Sequence, residues 1–331
     1  MSERHYMRRR DFIAALGGAL VLAPQVSRAQ SAKPIVGFIN NGSAAAFTSL
    51  AAAFQKGLEE TGYVDGQNVM IEHRWAEGDN NRLPAFVQEF IQRRAAVIAA
   101  TGGTASPIAA QSAAATIPVV FAIGADPVKF GLVASLNKPG GNMTGVSFLA
   151  NSLLAKQVEV LHELVRKDAV IGFLVNPANP NAEPDTRAVV AAAALLHHRI
   201  VTERATTQAE IERAFGALTA QNINALLIFP DALFTSFREQ LVTLASRHKL
   251  PTVYNYAFAA SGGLVGYGAK QTEAYRNTGI YVGRILRGDK PADLPVMQTS
   301  SVELVVNLKT AKAFGIEIPQ TLLARADEII E

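Results

Sequence analysis

The 331-residue chain contains no cysteine, which removes disulfides, thiol catalysis, thiolate metal sites and lipid attachment at an N-terminal Cys together. The short patterns that announce chemistry are also missing: no H-E-x-x-H, no G-x-S-x-G elbow, no G-K-[ST] and no G-x-G-x-x-G spacing. Of the six histidines, His5 lies in the leader described below. His73, His162, His197, His198 and His248 stand without paired Asp/Ser grammar and read as solvated or capped side chains. Catalysis and a resident cofactor or metal are therefore not expected. Tryptophan occurs once, at Trp75, and is assigned to structure. No continuous apolar run approaches the roughly twenty residues that a membrane span requires.

What charge there is has an uneven place in the chain. The pI of about 9.1 invites a nucleic-acid reading, but five of the 31 basic and two of the 28 acidic residues fall in residues 1–29, leaving 26 of each. A formally neutral remainder offers no concentrated positive face for phosphate binding, so no nucleic-acid partner is expected. The N-terminal stretch has the three regions of an export leader: Arg8, Arg9 and Arg10, the uncharged run Ala14–Ala23, and Ser27-Arg28-Ala29 with small residues at the peptidase positions. The arginines followed by Asp11-Phe12-Ile13 resemble a twin-arginine signal, a receptor-read address rather than an anchor. Cleavage after Ala29 and a periplasmic mature protein are expected.

What remains holds enough apolar material, 49% of the chain, for more than one core. Short β-branched runs alternate with helical-period segments from Pro34 onward, the pattern of parallel sheets flanked by helices. Strands are expected at residues 35–39, 69–75, 97–100, 119–122, 170–175, 200–203, 225–229, 252–254, 264–267 and 302–306. Helical stripes include Phe47, Leu50, Phe54 and Leu58, then Leu153, Leu154, Val158, Leu161 and Leu164, and Ile211, Phe215 and Leu218. The fold class is α/β, with two Rossmann-like lobes. The expected boundaries are a leader at 1–29, a first lobe at 30–147 and a second at 148–261, each completed by part of 262–331. Ser261-Gly262-Gly263 is a candidate crossing between them.

In such sheets ligands bind beyond the carboxyl ends of the strands, so the residues just after each strand are the informative ones. They include Asn41 and Ser43, Thr101-Gly102-Gly103-Thr104, Asp126, then Asn176 and Asn179, Asp231, and Tyr254-Asn255. Two glycines let backbone approach a ligand at 102–103. Thr104 can cap the helix that follows, with its hydroxyl toward the crevice. Asp126 and Asp231 are acids placed after apolar strands and suited to a ligand ammonium. Equally, Asp231 could cap a helix running to His248, and Asp126 could fix its own Pro-containing turn. Tyr254, Tyr256 and Phe258 could stack on a flat side chain or simply fill a core.

Further along, Asp126-Pro127-Val128, Gly131-Leu132-Val133-Ala134-Ser135-Leu136 with Pro139-Gly140-Gly141-Asn142, and Asn307-Leu308-Lys309-Thr310-Ala311-Lys312-Ala313 with Leu322-Leu323-Ala324-Arg325-Ala326-Asp327 resemble a known family. It is the tryptophan/tyrosine-binding (TrpX-like) group of ABC transporter substrate-binding proteins, which has the type I periplasmic-binding-protein fold. The resemblance implies a monomer whose lobes, joined by a multi-strand hinge, close on a small-molecule ligand and dock on an ABC permease. It also implies Ser43, Thr101, Gly102 and Thr104 on an amino acid's carboxylate, with Asn176, Asn179 and Asp231 closing from the other lobe. Three rival classes share the architecture. A repressor-like regulator would need a DNA-binding module where the leader stands, an exported α/β enzyme would need a nucleophile or metal cluster, and a ligand sensor would signal to a membrane partner.

Overall fold

The computed structural model describes residues 33–148, 150–299 and 301–331; the leader expected at 1–29 lies outside the described residues. The first sheet opens with β1 (Ile35–Asn40), followed by helix α1 (Ala44–Glu59). Ser43 starts α1 by accepting from the Ala46 N–H at 3.4 Å, and the left-handed Gly62 follows its end. The helix buries Phe47, Leu50, Phe54 and Leu58, as the apolar spacing predicts. Then come β2 (Met70–Trp75), α2 (Leu83–Gln92), β3 (Val97–Thr101), α3 (Ala105–Ala110), β4 (Val119–Ile123) and β5 (Met143–Ser147). β3, β4 and β5 are buried at every residue, the mark of strands covered on both faces.

The second sheet is built in the same way. After α4 (Leu154–Leu164) come β6 (Val170–Val175), α5 (Ala182–Leu195), β7 (Arg199–Arg204), α6 (Gln208–Ala220) and β8 (Ala225–Ile228). α6 begins with a reciprocal cap: Glu210 N–H donates to Thr207 Oγ1 at 3.3 Å while the Glu210 carboxylate accepts from Thr206 N–H at 2.8 Å. α7 (Ala232–Ser236) and α8 (Arg238–Arg247) follow, then β9 (Thr252–Tyr254), α9 (Ala257–Ala260) and β10 (Val265–Ala269). The single helix expected from Asp231 to His248 is thus broken at Phe237.

The chain then returns to the first sheet with α10 (Gln271–Leu286) and β11 (Met297–Gln298). It finishes in the second with β12 (Val302–Asn307), α11 (Leu308–Phe314), α12 (Gln320–Leu323) and β13 (Glu328–Ile330). Strand order is β11-β5-β4-β3-β1-β2 in one sheet and β13-β12-β10-β9-β8-β6-β7 in the other. Neighbours run parallel except β10 and β12. The chain therefore passes between the sheets after β5, after β10 and after β11. The turn at Ser261-Gly262-Gly263, expected as a crossing, joins α9 to β10 on one side; its glycines serve a tight turn, with Gly262 at φ +99°.

The returning helix is locked down where it lands. α10 lies backbone to backbone on α1: a Cβ on Gly279 would sit 2.0 Å from Phe54 O, and one on Gly57 1.8 Å from Arg276 O. Only glycine permits that approach. Tyr275, Val282 and Ile285 of α10 join Phe38, Phe54 and Val120 in the core on that face of the first sheet, while Phe90, Ile98 and Phe121 fill the other face. A separate core holding Phe173, Phe215, Leu227 and Phe229 serves the second sheet.

Candidate functional site

Each sheet reverses its strand order once. In the first, β2 and β3 lie on opposite sides of β1; in the second, β7 and β8 lie on opposite sides of β6. Loops leaving the strands beside such a point run in opposite directions and leave a crevice between them. The crevices of the two sheets meet in one cleft of about 690 Å³ of empty space, part of it open to solvent. Gly102, Gly103 and Thr104 line it from the first sheet, Asn179, Asn181, Asp231 and Asn255 from the second, and Gln271 and Tyr275 from α10.

The first wall is a bare backbone held from behind. Gly102 (φ +78°) has no room for a Cβ, which would fall 2.4 Å from Asn40 Oδ1, and Gly103 (φ +121°) faces open space. Asn40, at the end of β1, donates from Nδ2 to Thr101 Oγ1 at 2.9 Å and to Tyr275 Oη at 3.3 Å, while its Oδ1 accepts from Gly42 N–H at 2.7 Å. Tyr275 Oη also accepts from Gly102 N–H at 3.1 Å. Burial pushes the Tyr275 hydroxyl up to about 12, so it stays a neutral phenol. The N–H groups of Gly103, Thr104 and Ala105 meet no acceptor among the described residues.

The opposite wall is built around a buried carboxylate. Asp231 is 8% exposed. It accepts from Asn176 Nδ2 (3.0 Å) and Leu233 N–H (2.9 Å) at Oδ1, and from Asn179 Nδ2 (2.7 Å) at Oδ2. No cationic side chain pairs with it among the described residues. Burial raises its pKa above the ordinary carboxylate value, against the three donors that favour the anion. Its backbone carbonyl accepts from Tyr254 Oη at 3.1 Å and Thr235 Oγ1 at 3.0 Å. Asn255 donates to Thr235 Oγ1 at 3.4 Å and leaves its own Oδ1 buried without a donor. Gln157, 2% exposed, does the same: Nε2 donates to Tyr267 O at 2.7 Å and Oε1 has no partner. Such orphaned acceptors are costly in a folded protein unless something else supplies the proton.

Of the residues singled out in the sequence, Gly102, Thr104, Asn179, Asp231, Tyr254 and Asn255 line the cleft. Thr101 and Asn176 stand one layer behind, orienting Asn40 and Asp231. Ser43 caps α1, and Asn41 is buried beside Gly102, with Oδ1 unpaired. Two expectations are corrected. Asp126 is exposed and outside the cleft lining; its Oδ1 accepts from Val128 N–H at 2.9 Å, so it fixes its own turn. Thr104 does not cap α3; its hydroxyl accepts instead from Asn181 Nδ2 at 2.8 Å, across the cleft. Tyr256 and Phe258 are also outside the lining, and Phe258 is core. Sequence reasoning missed Gln157 and Tyr275, which sit inside amphipathic helices, and Gln271, the first residue of α10, two residues past β10. An inward-facing Gln or Tyr in an otherwise apolar stripe was the signal available.

Three hydrogen bonds join the two sides: Asn181 Nδ2 to Thr104 Oγ1 (2.8 Å), Ser43 N–H to Ser236 Oγ (3.0 Å) and Asn80 Nδ2 to Ala178 O (2.8 Å). The sides are therefore in contact over the cleft rather than splayed. Comparison with known proteins agrees. The ABC domain in complex with L-Trp from Streptococcus pneumonia is 28% identical, with 90% of this chain and 100% of that one covered, at a TM-score of 0.80. A ligand-free, open structure of a substrate binding protein from Clostridium difficile, 26% identical with 90% and 99% covered, reaches only 0.61. The chain thus superposes more fully on the L-Trp complex than on the open, ligand-free structure. A tyrosine-binding protein of Clostridioides difficile (strain R20291) is 28% identical over 265 residues, 80% of this chain and 76% of that protein. The family described as ABC transporter substrate binding protein matches residues 36–330, so the chain, with two parallel-dominated sheets meeting at their strand ends, belongs to the ABC transporter substrate-binding proteins.

Proposed function

We propose that the protein captures a single aromatic α-amino acid between its lobes, closes on it, and delivers it to an ABC permease from outside the cytoplasmic membrane. The observation that carries the ligand class is Asp231: a buried carboxylate fixed by three donors, with no cation of its own. An α-ammonium supplies the missing charge, and Asn255 Oδ1, beside Thr235, accepts a second of its protons. Across the cleft the free N–H groups of Gly103 and Thr104 suit the α-carboxylate. Phe47, Phe148 and Tyr275 give the cleft aromatic walls, and the relatives described above include one that binds tyrosine and one that holds L-Trp. Extracytoplasmic residence follows from the leader read in residues 1–29. No helix among the described residues is long and apolar enough to cross a membrane.

The test is calorimetric titration of the mature protein with L-Trp and L-Tyr beside indole-3-propionate, which lacks the ammonium, and tryptamine, which lacks the carboxylate. Binding is expected for the two amino acids and loss of at least tenfold for each truncated analogue. Equal binding of indole-3-propionate overturns the role given to Asp231.

A further inference from the structure

Gln157 is not in any strand-end loop, yet its side chain reaches the cleft. It projects from the middle of α4, where Leu154, Val158 and Leu161 on the same helix pack into the core. An apolar residue would fit that stripe, so a glutamine there needs a reason. The amide's orientation is dictated by its neighbour. Nε2 donates to Tyr267 O at 2.7 Å, and a carbonyl can only face the NH2 end. Oε1 is thereby turned the other way, fully buried, with no donor within reach.

Strand register gives its position relative to the ammonium site. Gly266 pairs with Tyr254, and Val253 of the same strand pairs with Leu227, so Tyr267 lies beside Asn255 and one strand further from the end of β8, where Asp231 stands. Two interstrand steps of ~4.8 Å put Gln157's anchor about 10 Å from Asp231. An aromatic amino acid with a hydrogen bond at each end bridges a separation of that order. The residues that follow Tyr267 in the lining are Gly268 and Ala269, with Gln271 beyond them, and those preceding α4 are Phe148 and Ala150, so the residues nearest the orphaned oxygen in sequence are mostly apolar.

Resting on the ligand class proposed above, we propose that Gln157 is a specificity-determining residue whose Oε1 accepts a hydrogen bond from the ligand's side chain. The site then selects aromatic amino acids carrying a ring N–H or O–H and rejects phenylalanine. Closure on phenylalanine leaves Oε1 buried with neither water nor a donor, whereas indole N–H or phenol O–H satisfies it. Discrimination by one unpaired buried acceptor is roughly ten- to a hundredfold.

The experiment is calorimetric titration of wild-type mature protein with L-Tyr, L-Trp, L-Phe and 1-methyl-L-Trp, repeated on Gln157→Met, which keeps length and loses the acceptor. Wild type is expected to favour Tyr and Trp over Phe, and Trp over its N-methyl derivative, by tenfold or more. In Gln157→Met the Tyr/Phe ratio should collapse to within about threefold. The wild-type ratios decide the matter even if the variant folds poorly. Phe bound as tightly as Tyr and Trp, or a ratio unchanged in Gln157→Met, overturns the assignment of Gln157 and leaves the amino-acid reading standing. Failure of all four to bind overturns the amino-acid reading itself, and this one with it.

Discussion

Replacing Asp231 by Asn is the sharpest perturbation of the proposed site: it removes the charge and turns Oδ2, the acceptor of Asn179 Nδ2, into a donor. The carboxylate is 8% exposed and already saturated on three sides by Asn176, Asn179 and Leu233, so the ligand ammonium makes the remaining charge-assisted contact. Such contacts contribute about 1.5–3 kcal/mol, hence a loss of affinity of roughly ten- to 150-fold. At a ligand concentration a hundred times the wild-type Kd, binding stabilises wild type by about 2.7 kcal/mol. A variant weakened a hundredfold is then only half saturated and keeps about 0.4 kcal/mol. At ~2 °C per kcal/mol for a protein of this size, the ligand-induced rise in Tm falls from about 5 °C to under about 1 °C, readily resolved by differential scanning fluorimetry. The pH dependence gives an independent sign. Burial raises the Asp231 pKa, so acidification protonates it before ordinary carboxylates and wild-type affinity should fall as pH drops through that raised value. The Asn variant should show no such fall. A Tm shift retained in full by Asp231→Asn, with an unchanged pH profile, would refute the ammonium site.

Tyr275→Phe removes the acceptor of Gly102 N–H and Asn40 Nδ2; about 1–3 kcal/mol of stability should be lost, measured by urea denaturation, together with weaker ligand binding, and an unaltered urea midpoint would contradict the network. Gly279→Ala places a methyl 2.0 Å from Phe54 O, so α10 and α1 must part at a cost of about 1–3 kcal/mol or more, whereas Gly288→Ala, with nothing within 4 Å but φ +107°, should show only backbone strain. His73 and His198 have pKa values lowered chiefly by burial. Their contribution is full above the ordinary value of 6.5 and is lost as pH falls through the lowered folded values, so the urea midpoint should drop as pH falls below 6.5, and His73→Phe, fitting the Phe38 and Trp75 cluster, should blunt that drop.

The alternation of buried β-branched runs with amphipathic stripes made the two sheets legible, because strands covered on both faces have few other compositions open to them. The strand-end rule located Gly102, Thr104, Asn179, Asp231 and Asn255 for the same reason: it is a property of topology and needs no side-chain coordinates. It did not say what each side chain there would do. Asp126 and Thr104 follow strands just as Asp231 does, but Asp126 points back at the N–H of Val128, and Thr104 turns to Asn181, 77 residues away. Nothing local distinguishes those fates. Gln157 and Tyr275 reach the cleft only because α4 and α10 leave and re-enter the sheets at its edge, a fact of the three crossings that no periodicity reports. The His162 and His198 pairing, Nδ1 to Nε2 at 2.8 Å, likewise depends on how α4 packs beside the loop before β7.

The placement of the polar groups explains why closure and capture are one event. One side offers bare N–H donors at Gly103 and Thr104; the other offers the Asp231 carboxylate and the orphaned oxygens of Asn255 and Gln157. Apart, each wall is solvated and incomplete. Joined without a guest, the three bonds Asn181 to Thr104, Ser43 to Ser236 and Asn80 to Ala178 contribute about 1 kcal/mol each, while Gln157, Asn255 and Asp231 lose water and gain nothing. In the proposed reading the opposing costs are of similar size, which would leave the empty protein poised between open and closed. A zwitterion of the proposed kind would satisfy both walls only in the closed form, and that differential affinity would shift the population. The same accounting makes rejection steep: a guest lacking one donor leaves its acceptor stranded in the closed state, where water cannot repair the loss.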